Sequence, residues 1–459
     1  MKSESSVFGR VRNPKNPEQI INGVFLTIKH DGIQIEVPSK WLGNEVEKFD
    51  VIHGEFNDLE LQCVTLINVR FIGGNYGSGG GISRFSVSTL LTGLKVDSIS
   101  DLKMRRVEMV SKHLPKWIRV PEGIKYEDQG DTLKLPIKRT LSTTKLSSGL
   151  SIDLCFFYSH EPIDGGVSLK EKIVFVLSNE KGISYDELGD IERKLKSWIL
   201  FFSRQSPDFE HIIITDLATT VPLGKGTDEN PPMKLDDCYL ITAREEVNAK
   251  AILRDFRIDL RDFEKNLGEC LFNWFEQKYF EIIIDLILDR DFNSNLSISS
   301  NFFNQAVAIE SFHSSCFGKM ETARLTKLKL LKTIILSKLE EKNNRTLFSE
   351  STQNWGSNSF RERLNFFKVT FRSLLLNVAF NEKALIQKTL DARNSLAHSG
   401  IYSMPIGEMV VVSRVLKFTL KLEIIKVLIN NPTFHDDLLT EATKEISQLA
   451  KINGIGKKN

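Results

Sequence analysis

Through the first half of this 459-residue chain, hydrophobic and polar positions alternate one by one; further on they recur every three to four residues. In VFLTIKHDGIQIEV (24–37), Ile33, Ile35 and Val37 alternate with Gln34 and Glu36, which predicts a strand with one buried and one wet face. Two such runs flank Asp31-Gly32, a strong hairpin signal. ELQCVTLINVRFI (60–72), KIVFVLS (172–178) and HIIITDL (211–217) predict further strands. The glycine-rich GGNYGSGGG (73–81) is expected to be a mobile connection. It is not a phosphate-binding loop, because no Gly-Lys-Ser/Thr leads into a helix. One helix interrupts the strands: Ser184 and Glu187 form a capping-box pattern ahead of YDELGDIERKLKSWILFF.

From about residue 250 the rhythm turns helical. LGECLFNWFEQKYFEIIIDLIL (267–288) places apolar residues at helical spacing, with a β-branched run that also suits a strand. The polar stretch DRDFNSNLSISS (289–300) reads as a boundary. Helices are then predicted over 301–317, 321–342, 359–379, 382–398 and 405–430, with none assigned beyond. A long polar loop, expected to be mobile, fills 342–359. Asn381 is placed to cap the 382–398 helix, Gly400 to terminate it, and Pro405 to start the next. The resulting expectation is an α+β chain. A β-rich N-terminal domain (1–245) with a regulatory or sensing role precedes a helical connector (246–300) and an all-α C-terminal domain (301–459). No repeat of fixed period is evident.

Composition narrows the class. With 41% hydrophobic and 26% charged residues the chain reads as a globular protein. No apolar run reaches the roughly 18–20 residues that span a bilayer, so no membrane association is expected. The opening MKSESSVFGRVRN lacks the apolar core of a signal peptide, which points to the cytoplasm. Five scattered cysteines, Cys63, Cys155, Cys238, Cys270 and Cys316, suggest neither a zinc site nor a disulfide framework; no metal and no cofactor are expected. The net charge of +2 is unevenly divided: residues 301–459 hold 23 Lys and Arg against 14 Asp and Glu. A basic C-terminal third suits a polyanion such as RNA, although on charge alone a lysine-rich solubilising surface is the simpler reading.

The stretch DARNSLAHSG (391–400) carries the candidate chemistry. On a helix Gln387, Asp391, Asn394 and His398 form one polar stripe, while Leu385, Thr389, Ala392 and Leu396 line a mostly apolar side. Arg393 lies about 100° round from Asn394, and its long side chain can reach toward the imidazole. A guanidinium offers a planar, permanently charged fork for phosphate oxygens. An imidazole titrates near neutrality and can move a proton. Together they suit attack of an RNA 2′-hydroxyl on its neighbouring phosphate: Arg393 stabilises the phosphoryl charge, His398 transfers a proton, and Asn394 binds phosphate or orients the ring. In-line attack needs a base and an acid on opposite sides of phosphorus. A symmetric dimer would supply the second histidine. With eight His in the chain, an Arg and a His five apart can meet by chance. The adjoining Asn, the small Ala397 and the position at a helix end raise the pattern above that background.

RNSLAH (393–398) resembles the RNxxxH signature of HEPN domains, and the chain as a whole is similar to ApeA-type anti-phage defence proteins. FGRVRNPKNPEQIINGVFLTIKHDGIQIEV, GISRFSVSTLLTGL (81–94) and AVAIESF (306–312) carry the wider likeness. The resemblance implies a β-rich domain ahead of an all-helical HEPN bundle, and metal-independent endoribonuclease activity at a HEPN homodimer interface. It also implies abortive infection as the defence, with a phage-derived trigger acting on the N-terminal domain. Arg393 and His398 would be catalytic, Asn394 supporting, and Glu310 would orient Arg393 from the first helix of the domain. An exposed helix carboxylate is an equally good reading of Glu310. Many toxin-type motifs carry Tyr two residues after His; here Gly400 stands there and Tyr402 follows, so no role is assigned to that tyrosine. His313 is expected to be structural, and His30, His53, His113, His160, His211 and His435 show no partner spacing. The tryptophans, Trp274 and Trp355 among them, read as packing residues. Two other functions suit the same residues: a HEPN module that binds RNA or a nucleotide without cutting, and a scaffold whose motif only caps a helix.

Overall fold

The computed structural model describes residues 5–29, 32–38, 48–58, 61–77, 80–111, 114, 138–163, 166–203, 208–218, 238–242, 264–277, 280–292, 296–317, 322–351, 358–400 and 404–457. The chain divides into two compact units, Met1–Ala249 with Asp259–Gly268, and Lys250–Ile258 with Glu269–Asn459. The first is β-rich and the second all-helical, so the α+β expectation holds.

In the first unit the strands are β1 (Ser5–Asn13), β2 (Asn16–Lys29), β3 (Gly32–Pro38), β4 (Lys48–Phe56), β5 (Val64–Gly77) and β6 (Gly80–Thr92). They continue with β7 (Lys103–Ser111), β8 (Lys138–Lys145), β9 (Ser151–Ile163), β10 (Gly166–Ser184), β11 (Phe209–Leu217) and β12 (Tyr239–Thr242). All described pairings are antiparallel, in the order β3-β2-β1-β4-β5-β6-β12-β11-β7-β10-β9-β8. β3 also pairs with β6, which closes the first six strands into a barrel. The hairpin expected at Asp31-Gly32 is formed: β2 and β3 pair up to Lys29 opposite Gly32, and Ile33, Ile35 and Val37 point inward. His30 and Asp31 lie outside the described residues.

One long strand serves both halves of the sheet. β6 pairs with β3 from Ile82 to Val87 and then with β12 from Thr89 to Leu91. Its burial follows the change. Ser83, Phe85 and Val87 are buried alternately in the barrel, whereas Thr89 to Leu94 are buried without interruption. A strand covered on both faces loses the alternation that a half-wet strand keeps. Helix α1 (Tyr185–Ser203), which packs against β10, reaches this second part with its first residue, where the Tyr185 and Thr89 hydroxyls share a hydrogen bond of 2.7 Å. Its capping box is as predicted: the Glu187 carboxylate accepts from the Ser184 amide at 2.7 Å, and Glu187 N–H donates to Ser184 Oγ at 3.3 Å.

The glycine-rich stretch is not a loop. Gly73 pairs with Arg84 and Gly77 with Gly80, so β5 and β6 run on as a hairpin arm, with residues 78–79 outside the described set. A register shift between Phe71 and Gly73, where Gly73 has φ 151°, absorbs the extra residue that a bulge introduces. Ladder hydrogen bonds, which a composition-based reading cannot see, hold the glycines extended.

The second unit comprises α2 (Leu267–Glu276), α3 (Phe280–Phe292), α4 (Ile298–Phe317), α5 (Thr322–Lys338), α6 (Lys342–Ser351), α7 (Phe360–Phe366), α8 (Lys368–Leu374), α9 (Glu382–Ser399), α10 (Ile406–Leu428) and α11 (Pro432–Ile452). α2 begins two residues before the division between the units. α4 is central and packs against α3, α7, α9 and α10. Phe302, Ala306, Ile309 and Phe312 form its buried side.

The structure decides one open reading and corrects three expectations here. Residues 267–288 are helical, in two helices that include the β-branched run, and 342–359 is not a loop throughout: α6 forms, with Arg345 Nε donating to the Leu339 carbonyl at 2.6 Å. The 359–379 helix breaks at Phe367 (φ −89°, ψ 10°), whose buried ring lies against Phe312 at 6.3 Å. α11 is an additional helix, started by Asn431, whose side chain accepts from Phe434 N–H at 3.2 Å with Pro432 in its first turn.

Candidate active site

Helix α9 carries the RNSLAH motif with the boundaries that its sequence specifies. Asn381 Oδ1 accepts the Ala384 amide at 3.0 Å, and Gly400 ends the helix in the left-handed region at φ 67°. Leu385, Ile386, Thr389, Leu390 and Ala392 are buried, while Gln387, Asp391, Asn394 and His398 are exposed. The polar stripe is therefore real. Its members begin to interact at once, since Gln387 Nε2 donates to Asp391 Oδ1 at 2.7 Å.

Arg393 lies between the two faces and turns toward α4. Its Nη2 donates to Glu310 Oε2 at 3.3 Å, and its Nη1 reaches Asn394 Oδ1 at 3.4 Å. Both contacts are long for charge-assisted bonds. The guanidinium lies 5.5 Å from the centre of the Phe360 ring, at the start of α7. Its Nε is buried and has no acceptor. A buried donor without a partner is unfavourable, and the remainder of the side chain, 30% exposed, is the part an anion can reach.

Glu310 is more than an exposed helix carboxylate. Its Oε1 faces Arg363 Nη1 at 3.4 Å, so two guanidiniums from two different helices share it. Arg363 is tied further, with Nη1 donating to the Glu310 carbonyl at 3.1 Å and to Ser314 Oγ, and Nε to the Asn358 carbonyl at 2.9 Å. Sequence reading missed Arg363. It lies on another helix, with no spacing relation to the motif. The capping box at Ser359 and Glu362 marks where its helix starts, the one local clue to the face it occupies.

His398 is separate from this cluster. It is exposed, and among the described residues its side chain makes no hydrogen bond or ion pair. It stands about 7.5 Å beyond Arg393 along the axis, from the rise per residue. The structure thus joins Arg393, Asn394 and Glu310 but leaves the imidazole open at the helix end. His313 is buried against Phe366 and Phe367, at ring separations of 5.1 and 6.2 Å. Burial pushes its imidazole below the ordinary value, and Arg363 nearby acts in the same direction. Trp274 is buried, as expected of a packing residue, while Trp355 lies outside the described residues. All five cysteines are free thiols. Among the described residues, no helix is long and apolar enough to cross a membrane.

A family model described as ApeA N-terminal domain 1 matches residues 6–274, more than half of the chain. A second, Apea-like HEPN, matches residues 303–428, from α4 to the end of α10. The chain belongs to the ApeA family. No curated protein and no solved structure matches it. The Apea-like HEPN match contains Glu310, Arg363, Arg393, Asn394 and His398 together, and the ApeA N-terminal match spans the barrel and the sheet that follows it.

Proposed function

We propose that this chain is a metal-independent HEPN endoribonuclease that cuts RNA by 2′-hydroxyl attack, acting in anti-phage defence through abortive infection. The observation that carries the reading is the arginine of the motif. Arg393 is oriented by Glu310 yet its side chain stays 30% exposed, and an exposed histidine follows five residues later on the same helix. In the reaction a base removes the 2′-hydroxyl proton, and the oxygen bonds to phosphorus. The P–O5′ bond breaks as an acid protonates the leaving 5′-oxygen, giving a 2′,3′-cyclic phosphate and a 5′-hydroxyl. Arg393 stabilises the charge gathering on the non-bridging oxygens. Asn394 assists in holding the phosphate. His398 of each subunit serves once, as base or as acid, in a homodimer formed through the HEPN domain. The N-terminal domain is then the sensing module for a phage-derived trigger in the cytoplasm.

The test is cleavage of RNA by purified protein in EDTA. Products ending in cyclic phosphate, lost in Arg393→Ala and in His398→Ala while both variants melt like the parent, support the reading. Unchanged cleavage in either variant ends it. A second reading, a module that binds RNA or a nucleotide without cutting, is favoured by one observation: no described side chain orients the His398 imidazole. It predicts RNA retention with no products at any incubation time.

A further inference from the structure

A carboxylate has two oxygens and can close on one guanidinium with both, forming a forked pair that occupies two N–H groups. At Glu310 this does not occur. Oε1 stands 3.4 Å from Arg363 Nη1 as an ion pair and Oε2 accepts from Arg393 Nη2 at 3.3 Å, so the motif arginine hydrogen-bonds one oxygen only. The two arginines are held very differently. Arg363 reaches the Glu310 carboxylate, the Glu310 carbonyl, the Ser314 hydroxyl and the Asn358 carbonyl, and its side chain is 14% exposed. Arg393 has two long contacts and an empty Nε, and its side chain is 30% exposed. Arg363 is the fixed member, spanning one turn of α4 and the residues ahead of α7; Arg393 is the adaptable one.

We infer that Arg363 is a positioning residue: by holding one oxygen of Glu310, it prevents that carboxylate from closing on Arg393 and keeps the motif guanidinium open to an RNA phosphate. Two cations on one carboxylate also leave a unit of positive charge in the seam between α4, α7 and α9, matching the single negative charge of a phosphodiester. Glu310 alone would orient Arg393 but would also compete with the substrate for it. With Arg363 in place the orientation is kept and the competition is removed. The inference rests on the ribonuclease reading for its activity readout, and the test separates the two.

The experiment uses the full chain and compares kcat/KM for RNA cleavage in Arg363→Gln, Arg363→Lys, Glu310→Gln and the double variant Glu310→Gln/Arg363→Gln. Arg363→Gln frees Oε1, lets Glu310 fork onto Arg393, and lowers kcat/KM about tenfold. Removing the carboxylate as well abolishes that capture. The double variant then recovers at least about threefold over Arg363→Gln, to the level of Glu310→Gln. Arg363→Lys keeps a cation on Oε1 and stays within about threefold of the parent. A merely structural Arg363 gives no recovery in the double variant, and that result overturns the proposal.

The Arg393 Nε–Hε resonance, assigned by its loss in Arg393→Lys and read without RNA, provides a measure independent of cleavage. It shifts in Arg363→Gln and returns in the double variant; no shift overturns the proposal. If Arg363→Gln does not fold, Arg363→Lys decides, and a loss in that variant as large as in Arg393→Lys counts against the proposal. If the parent protein cleaves no RNA, the ribonuclease reading fails while the resonance still judges the role of Arg363.

Discussion

Among the described residues, a carboxylate in the β-barrel and another in the helical seam are each shared by two cations. Glu55 on β4 accepts from Arg10 Nε at 2.7 Å and from Lys95 Nζ at 2.5 Å. Glu310 meets Arg363 at 3.4 Å and Arg393 at 3.3 Å. Their side chains are similarly exposed, 33% and 29%, so burial does not separate them. What separates them is saturation. Burial by itself would raise the Glu55 carboxyl, but hydrogen bonds from Lys95 and Arg10 outweigh it and hold the pKa below the ordinary range. Around Glu310 the contacts are long, and the Nε of Arg393 has no acceptor. A saturated triad ties strands together, whereas a loosely held guanidinium that is 30% exposed is free to adjust to a ligand.

The largest effect that would sharpen this contrast is on cleavage. Arg393→Ala or His398→Ala should lower kcat at least a hundredfold, about 3 kcal/mol of transition-state stabilisation, with thermal melting unchanged. A melting loss as large as the activity loss would make the helical cluster structural and erase the contrast. Next comes Glu55→Gln. It leaves Lys95, whose side chain is 19% exposed, without its counter-charge, and should cost about 1–2 kcal/mol in a denaturant titration. RNA cleavage should not change.

Acid supplies a third comparison. Because the Glu55 pKa is depressed in the folded state, its contribution is complete above the unfolded carboxylate value of about 4.3 and is lost as pH falls through the lower folded value. The parent should therefore lose more stability than Glu55→Gln between about pH 5 and pH 3. Parallel curves would show that the barrel triad is as loose as the helical one. The smallest effect belongs to the start of the motif helix. Asn381→Ala removes the bond to the Ala384 amide and should cost about 1 kcal/mol, read as a lowered denaturation midpoint.

Legibility followed the range of the interactions. Asn381, Gly400 and the buried side formed by Leu385, Thr389 and Ala392 could be read from the sequence because caps and helical faces depend on residues a few positions apart. The β2–β3 hairpin was legible for the same reason. The glycine-rich arm was not, since Gly73 and Gly77 are extended only because Arg84 and Gly80 lie opposite. Nor was the break at Phe367, which is set by the ring it packs against. The site divides likewise: Arg393, Asn394 and His398 stand out in one short stretch, whereas Arg363 becomes a partner only when α7 lies against α4.

By itself the amino-acid order determined the change from strands to helices, the limits of the motif helix, and which of its sides is wet, because each follows from backbone hydrogen bonding and burial over a turn or two. Tertiary structure alone decided that β3 meets β6 to close a barrel and that one carboxylate stands between two arginines lying 53 and 83 residues further along the chain. Contacts at such separations form where packed surfaces happen to meet, and no local periodicity encodes that meeting.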